Sequence, residues 1–152
     1  MKPILQALLL ADHVYQDRAT GKFIIAGTFT KLMVAKTEPV QGDTPAPPVA
    51  TETLVPFDDV RRSGSPYLYV NLTEVRGECP LQIRYVQLRT SQAMFEAELT
   101  IQGNDPLQSI QFTLPVPPLP REIGVYALEL LYKDELLGSH RVTVERIVQN
   151  EG

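Results

Sequence analysis

The alternation of apolar and polar residues in residues 124–148 constrains the fold more than any other feature of the chain. Large apolar side chains fall on one parity in each half of this segment: Tyr126, Leu128, Leu130 and Tyr132, then Val142 and Val144. A period of two residues is typical of β-strands that bury one face. Two such strands cannot cover their own apolar face, so the rest of the chain must supply a second sheet.

The connection between these two strands predicts a local irregularity. If both strands turn their apolar residues to the same side, directly opposed residues must share parity, and their numbers must sum to an even value. A two-residue loop at Asp134 and Glu135 gives an odd sum. We therefore predict either a three-residue connection that includes Lys133 or a β-bulge, with Gly138 as the site of the bulge.

The start of the chain predicts a β-hairpin or a strand pair with a tight connection, although periodicity alone does not exclude a short helix in residues 4–14. Residues 4–14 and 23–29 are apolar runs of strand length that flank a turn rich in Asp, Thr and Gly. We expect residues 31–35 to continue the second strand after a kink near Gly27, because a glycine inside a strand commonly marks a bulge.

Further strands follow at short, turn-punctuated intervals. Alternation predicts four of them, in residues 67–73, 81–88, 95–101 and 110–114, with a bulge or burial of both faces near residues 84–86. Residues 115–120 are proline at four of six positions, so this segment must cross between sheets rather than lie inside one. With seven to nine strands, we predict an all-β, antiparallel β-sandwich with Greek-key crossings.

Length, composition and charge exclude several classes of protein. A chain of 152 residues is expected to form one domain over residues 1–152. Its composition, 43% hydrophobic and 21% charged, is that of a soluble globular protein. The net charge of −4 is mild and the basic residues are scattered, so we expect no nucleic-acid partner.

The cysteine count and the N-terminal sequence indicate the compartment. Cys79 is the only cysteine, which excludes an intrachain disulfide and fits a reducing compartment. The apolar run 4–11 contains Gln6 and is followed by Asp12 and His13 where a signal peptide would have small residues. It is also shorter than the roughly 20 residues that span a bilayer. We expect a cytoplasmic protein without a membrane segment.

A long proline-rich loop is predicted over residues 36–66. Loops of this length in a compact domain are functional or mobile. Residues 54–57 are apolar enough to hold the loop against the body of the domain. Arg61 and Arg62 could bind a carboxylate or a phosphate, although adjacent arginines in a polar loop are usually solvated.

Two tyrosines directly follow this loop and are candidate binding residues. Tyr67 and Tyr69 alternate with the core-facing residues of their strand, so they project from its opposite face. Exposed aromatic side chains in a row can bind a protein or a sugar ring. The alternative is that the loop covers them. Together with Arg61 and Arg62, they are the binding residues that the sequence suggests.

The densest group of titratable residues is Asp12, His13, Tyr15 and Asp17. A metal or acid–base site needs several convergent ligands, and the chain has only two histidines and one cysteine. We therefore interpret the group as a polar cluster that orders the turn before Gly21.

Other catalytic and metal-binding patterns are weak. The sequence lacks a nucleophile elbow and a glycine-rich phosphate loop. The pairs Asp58 and Asp59, and Asn104 and Asp105, could ligate calcium, but both are interpreted as turn residues. The sequence thus predicts no catalytic residue, no metal and no cofactor.

Two segments resemble a known family. Residues 7–29, ALLLADHVYQDRATGKFIIAGTF, and residues 124–138, GVYALELLYKDELLG, resemble an uncharacterised family of small bacterial β-sandwich proteins of unknown function. The resemblance implies an immunoglobulin-like fold. It implies no activity and no site residues.

These observations favour a protein that is not an enzyme. We expect a protein-interaction or assembly module, with another protein or a second copy of the chain as its partner and the loop and the tyrosine face as its contact surface. The alternative is a small-ligand or carbohydrate-binding domain that uses the same tyrosines, with a hydrolase as a further alternative. A flat aromatic patch favours binding, whereas convergent carboxylates in a concave site favour chemistry.

Overall fold

The computed structural model describes residues 2–34 and 66–146, and these residues form an all-β fold without a helix. They contain nine strands: β1 (Ile4–Gln16), β2 (Phe23–Thr28), β3 (Lys31–Val34), β4 (Tyr67–Thr73), β5 (Gly77–Gln87), β6 (Gln92–Gly103), β7 (Ile110–Pro115), β8 (Gly124–Tyr132) and β9 (Glu135–Arg146). The prediction of an all-β fold with seven to nine strands is confirmed for the described part of the chain. Within it, no helix is long and apolar enough to cross a membrane.

The strands form two sheets that enclose one apolar core. Sheet A has the order β2-β1-β4-β7 and sheet B has the order β3-β9-β8-β5-β6. The core draws buried side chains from both sheets, and the largest fully buried ones include Leu10 and Leu68 of sheet A and Tyr85 and Leu128 of sheet B. Two sheets that share one core bury the apolar face of each, which is the cover that the alternation in β8 and β9 required.

The prediction for the segment after β2 was wrong. Residues 31–35 were expected to continue β2, but β3 (Lys31–Val34) leaves sheet A and pairs in parallel with β9 at the edge of sheet B. The backbone N–H of Thr143 donates to the carbonyl of Thr30, which fixes the start of this pairing. The sandwich is therefore antiparallel except for this one pair among the described strands.

The predicted irregularity between β8 and β9 is confirmed as a β-bulge. The turn is a two-residue loop, Lys133 and Asp134, and both residues have positive φ, at 50° and 66°. The register then changes from Leu131 opposite Leu136 to Leu130 opposite Gly138, which leaves one extra residue beside Gly138. The insertion restores equal parity, so the apolar residues of both strands face the core.

The irregularity predicted in the second half of β5 is also present. The register between β5 and β6 shifts between Tyr85 and Val86, and the extra residue is Met94 of β6. Tyr85 is fully buried in the core and Val86 is 8% exposed, so both faces of β5 are covered here.

The proline-rich segment crosses between sheets, as predicted. It follows β7 of sheet A and leads to β8 of sheet B. Val116 and Leu119 alternate with its prolines and are buried in the core. The segment thus brings apolar side chains into the core, while Pro117, Pro118 and Pro120 lie outside any strand ladder; Pro115 is the last residue of β7 and lies opposite Tyr67.

Candidate functional site

The two candidate tyrosines of β4 differ in exposure. Leu68 and Val70 face the core and the tyrosines face the other side of sheet A, as predicted. Tyr67 is half-buried, but only 6% of Tyr69 is exposed. The ring of Phe23 in β2 lies 5.5 Å from the ring of Tyr69, measured between centroids, at an interplanar angle of 56°. The row of exposed aromatics that a flat binding patch requires is therefore not present.

A bend in the first hairpin explains how Phe23 comes to cover Tyr69. Tyr69 lies opposite Leu9 of β1, whereas Phe23 lies opposite Gln16, seven residues further along β1. In a straight strand, seven residues span about 23 Å. The ring contact therefore requires the end of the hairpin to bend back over the outer face of sheet A. Gly27, with φ of 78°, lies within β2 near this bend and has a conformation that suits glycine.

Polar side chains fix the Tyr69 hydroxyl. It donates a hydrogen bond to Oε1 of Gln111 in β7. Burial raises the pKa of Tyr69, and a hydrogen bond with Asn71 partly opposes that rise. The phenol is therefore protonated at neutral pH, so it acts as a hydrogen-bond donor between β4 and β7 and not as a nucleophile.

Within the group around His13, Asp17 orders the turn, as predicted. Asp17 accepts hydrogen bonds from the backbone N–H of Ala19 at 3.1 Å and from the hydroxyl of Thr20 at 2.8 Å, and its carbonyl accepts from the N–H of Gly21. The exposed rings of His13 and Tyr15 stack with centroids 5.9 Å apart. Among the described residues, no group of three His, Cys, Asp or Glu side chains could hold a metal ion.

The remaining candidates have structural roles or lie elsewhere. Cys79 is 3% exposed and burial raises the pKa of its thiol, so the thiolate is disfavoured. Asp105 accepts a hydrogen bond from the N–H of Leu107, which is the turn role expected of it. Arg61 and Arg62, the pair Asp58 and Asp59, and the predicted loop up to residue 65 lie outside the described residues.

Sequence reasoning missed a different surface, formed by the outermost strands β6 and β7. Because only two residues connect β2, at one end of sheet A, to β3, at one end of sheet B, the opposite ends β7 and β6 lie on the same side of the sandwich. We call this side the open flank, defined by β6 (Gln92–Gly103) and β7 (Ile110–Pro115). No described strand pairs with either outer edge.

Apolar side chains line the open flank without being fully covered. The core-facing residues of both strands are only half-buried: Phe95, Leu99 and Ile101 in β6, and Ile110, Phe112 and Leu114 in β7. Ala97, in the middle of the β6 row, is exposed. The alternation in β6 was visible in the sequence, but alternation cannot show which strand ends a sheet.

The outer face of sheet B carries a row of charges that ends at β6. Arg84 of β5 lies between Glu96 of β6 and Glu129 of β8 in the register. It binds Glu129, with Nη2 and Nε at 2.8 and 3.2 Å from the same carboxylate oxygen. Glu98 lies opposite Gln82. Within the described part of the chain, neither Glu96 nor Glu98 forms an ion pair, so the row ends in two exposed carboxylates.

A shallow depression lies beside these residues, between β5, β6 and the β8–β9 turn. Its volume is about 200 Å³, and Glu98, Leu99, Gln82 and Lys133 contribute to its lining. Small-molecule sites usually have volumes of about 300–1,000 Å³ and enclose most of the ligand. The depression does not offer such a site.

Fold and surface together define an all-β protein of two packed sheets, with an open flank as its most distinctive described surface. Comparison with protein-family models finds no match to the chain, and comparison with curated proteins finds none.

Proposed function

We propose that this protein is a non-enzymatic interaction module that binds a protein partner at the open flank. The observation that carries the proposal is the position of β6 and β7, the outermost strands of the two sheets on one side of the sandwich, whose core-facing apolar side chains are mostly half-buried. A strand edge offers unpaired backbone N–H and C=O groups, and an extended segment of a partner can satisfy them by adding a strand.

The apolar rows make such addition favourable. An added strand beside β6 extends sheet B and covers side chains such as Phe95 and Leu99, which sheet A covers only in part. Burial of apolar surface contributes roughly 25 cal/mol per Å², and backbone hydrogen bonds fix the register. The sandwich itself is a rigid support, because β5, next to β6, is buried on both faces near Tyr85.

The open flank is a different contact surface from the loop and tyrosine face that the sequence suggested. The burial of Tyr69 beneath Phe23 disfavours a sugar-binding aromatic patch on β4, where the sequence suggested one. Tyr67 is half-buried and stays a candidate contact, and the role of Arg61 and Arg62 stays a prediction. A second copy of the chain is the other partner that the sequence allows.

The finer classification and the compartment belong to the same proposal. An immunoglobulin-like Greek-key arrangement is supported by the repeated exchange of strands between sheets along the chain. A cytoplasmic location is supported by the single, free and buried Cys79. Cell fractionation tests the compartment.

Site-specific photo-crosslinking tests the proposed function. A photoreactive amino acid replaces Ala97 on the open flank, and in a matched control it replaces Ala19, an exposed alanine in the β1–β2 turn. We expect a discrete adduct at position 97 in cells and none at position 19. The crosslinked protein is then purified and titrated against the unmodified chain, and light scattering shows whether the partner is a second copy. No adduct at position 97, or equal adducts at both positions, contradicts the proposal.

A further inference from the structure

We infer that β6 binds an extended peptide in which basic residues alternate with apolar residues, added as a new edge strand of sheet B. The inference rests on the proposed function and specifies the partner's chemistry.

The regular part of β6 sets the length of this peptide. From Phe95 to Gly103 the strand pairs with β5 without interruption, and the register shift at Met94 ends that stretch. In an antiparallel pair, backbone groups point alternately toward the neighbour and away from it. The outer edge therefore offers an uninterrupted set of donors and acceptors over these nine residues, and the bulge limits pairing beyond Phe95.

Negative charge on the outer face of sheet B favours basic residues in the bound peptide. Glu96 and Glu98 are exposed, lie two residues apart, and point to the same face of sheet B. Glu96 accepts a hydrogen bond of 3.4 Å from Gln82, while the nearest arginine in the register, Arg84, is bound to Glu129. A cation on the added strand would continue the alternation of charge across the sheet. Opposite charges on neighbouring strands stabilise the pair, and like charges destabilise it.

The core-facing side of β6 favours apolar residues in the bound peptide. Phe95, Ala97 and Leu99 alternate with the two glutamates and face the core side of the sheet. Since Ala97 is exposed and its neighbours are half-buried, this side has room for apolar side chains from an added strand. A strand that places lysine or arginine opposite each glutamate therefore places apolar residues opposite Phe95, Ala97 and Leu99.

The same charges disfavour a second copy of the chain that pairs with this edge about Ala97. If two β6 strands paired in antiparallel about Ala97, Glu96 of one copy would lie opposite Glu98 of the other, twice in each dimer. Like charges directly opposed in this way are destabilising, and neither carboxylate has a described ion-pair partner that could offset the repulsion. A basic peptide meets the opposite condition.

The test uses the intact protein and a fluorescent peptide of nine residues in which valine and lysine alternate. Binding is measured by anisotropy at low and at physiological salt, with two matched peptides. One has threonine in place of lysine, and the other is N-methylated at successive backbone amides, which point to opposite edges, so that neither edge can form a continuous ladder. Glu96→Gln, Glu98→Gln and the double variant are compared with Glu122→Gln, an exposed glutamate outside β6.

We expect the lysine peptide to bind and the N-methylated peptide to fail. Each glutamine variant should weaken binding by about 1.5- to 5-fold, with additive loss in the double variant, and Glu122→Gln should have no effect. Salt should reduce the difference between wild type and the double variant. Equal binding of the N-methylated peptide would indicate charge attraction alone and overturn the inference.

Two other outcomes separate the inference from the proposed function. If the threonine peptide binds as well as the lysine peptide, strand addition stands and the basic partner is wrong. If no peptide binds but crosslinking at Ala97 still identifies a partner, the inference falls and the interaction function remains. If both experiments fail, both proposals fall.

Discussion

Substitution of Gly103 by alanine tests how the connection between β4 and β5 packs against the end of β6. A Cβ atom at position 103 would lie 2.3 Å from the backbone oxygen of Val75, 2.6 Å from its Cγ1 and 2.7 Å from its carbonyl carbon. Real Cβ atoms essentially never approach another heavy atom within 3.0 Å, so the chain must move. Val75 is 1% exposed and belongs to the core, so its displacement disturbs the packing of the sandwich.

We expect Gly103→Ala to lower the free energy of unfolding by about 2–3 kcal/mol, the upper part of the range for overpacked sites. The closest contact is with backbone, which cannot rotate away as a side chain can. For a domain of this size, each kcal/mol shifts Tm by about 2–4 °C, so Tm should fall by about 4–12 °C. Thermal unfolding followed by circular dichroism and urea unfolding give the two quantities.

Two further variants show whether the contact is the cause. In Gly21→Ala, φ of 75° must be adopted by alanine but nothing lies within 4 Å of the new Cβ, so only the left-handed conformation costs stability, about 1 kcal/mol. Adding Val75→Ala to Gly103→Ala removes the Cγ1 contact and leaves the backbone oxygen, so it should not restore stability. A Gly103→Ala protein with unchanged Tm, or full recovery in the double variant, would refute the reasoning.

Three further predictions concern individual contacts. Gly138→Ala places a Cβ 2.4 Å from Cδ2 of Leu5, the end of a side chain, so it should lower the free energy of unfolding by about 1 kcal/mol. Most of that loss should vanish in a Leu5→Ala background, and an unchanged loss in the double-mutant cycle would identify a different cause. Tyr85→Phe removes a buried hydroxyl with no described hydrogen-bond partner and should stabilise the fold by about 1 kcal/mol, whereas Tyr126→Phe loses a 2.8 Å bond to a backbone carbonyl and should destabilise it. Burial raises the pKa of Tyr85 above 10.0, so as pH rises past that value the unfolded chain loses the phenolic proton while the folded protein keeps it, and the free energy of unfolding of wild type falls. Tyr85→Phe lacks this proton, so urea titrations at neutral pH and at about pH 11 should show a smaller loss of stability in the variant than in wild type. Asp17→Ala removes two side-chain hydrogen bonds from the first turn and should lower stability by about 1 kcal/mol, with Asp17→Asn closer to wild type; no change on urea unfolding would show that the backbone alone holds the turn.

Local chemistry determined much of the fold before any long-range contact was known. The two-residue period located β4, β6, β7, β8 and β9, because a strand that buries one face must alternate. The parity of opposed residues required an irregularity beside Gly138, since an odd register would have turned one apolar face to water. The prolines of residues 117–120 excluded a strand after Pro115, the last residue of β7, because they cannot complete a ladder.

The failure at β3 (Lys31–Val34) has a physical cause. A short run such as Leu32 to Val34 carries the same pattern whether it extends β2 or pairs with β9. The choice depends on a strand more than 100 residues away, which supplies free backbone groups at the edge of sheet B. Only the folded chain brings those groups together.

The candidate site shows the same division between sequence and tertiary structure. The sequence determined that Tyr69 faces away from Leu68 and Val70, because alternation is a local property. Only the tertiary structure decided that Tyr69 is buried, since the cover is Phe23, brought back by the bend of the first hairpin. Likewise, the sequence determined that β6 has an apolar face and an acidic face, but its place at the edge of sheet B depends on the order of strands, which is set by contacts between residues distant in the chain.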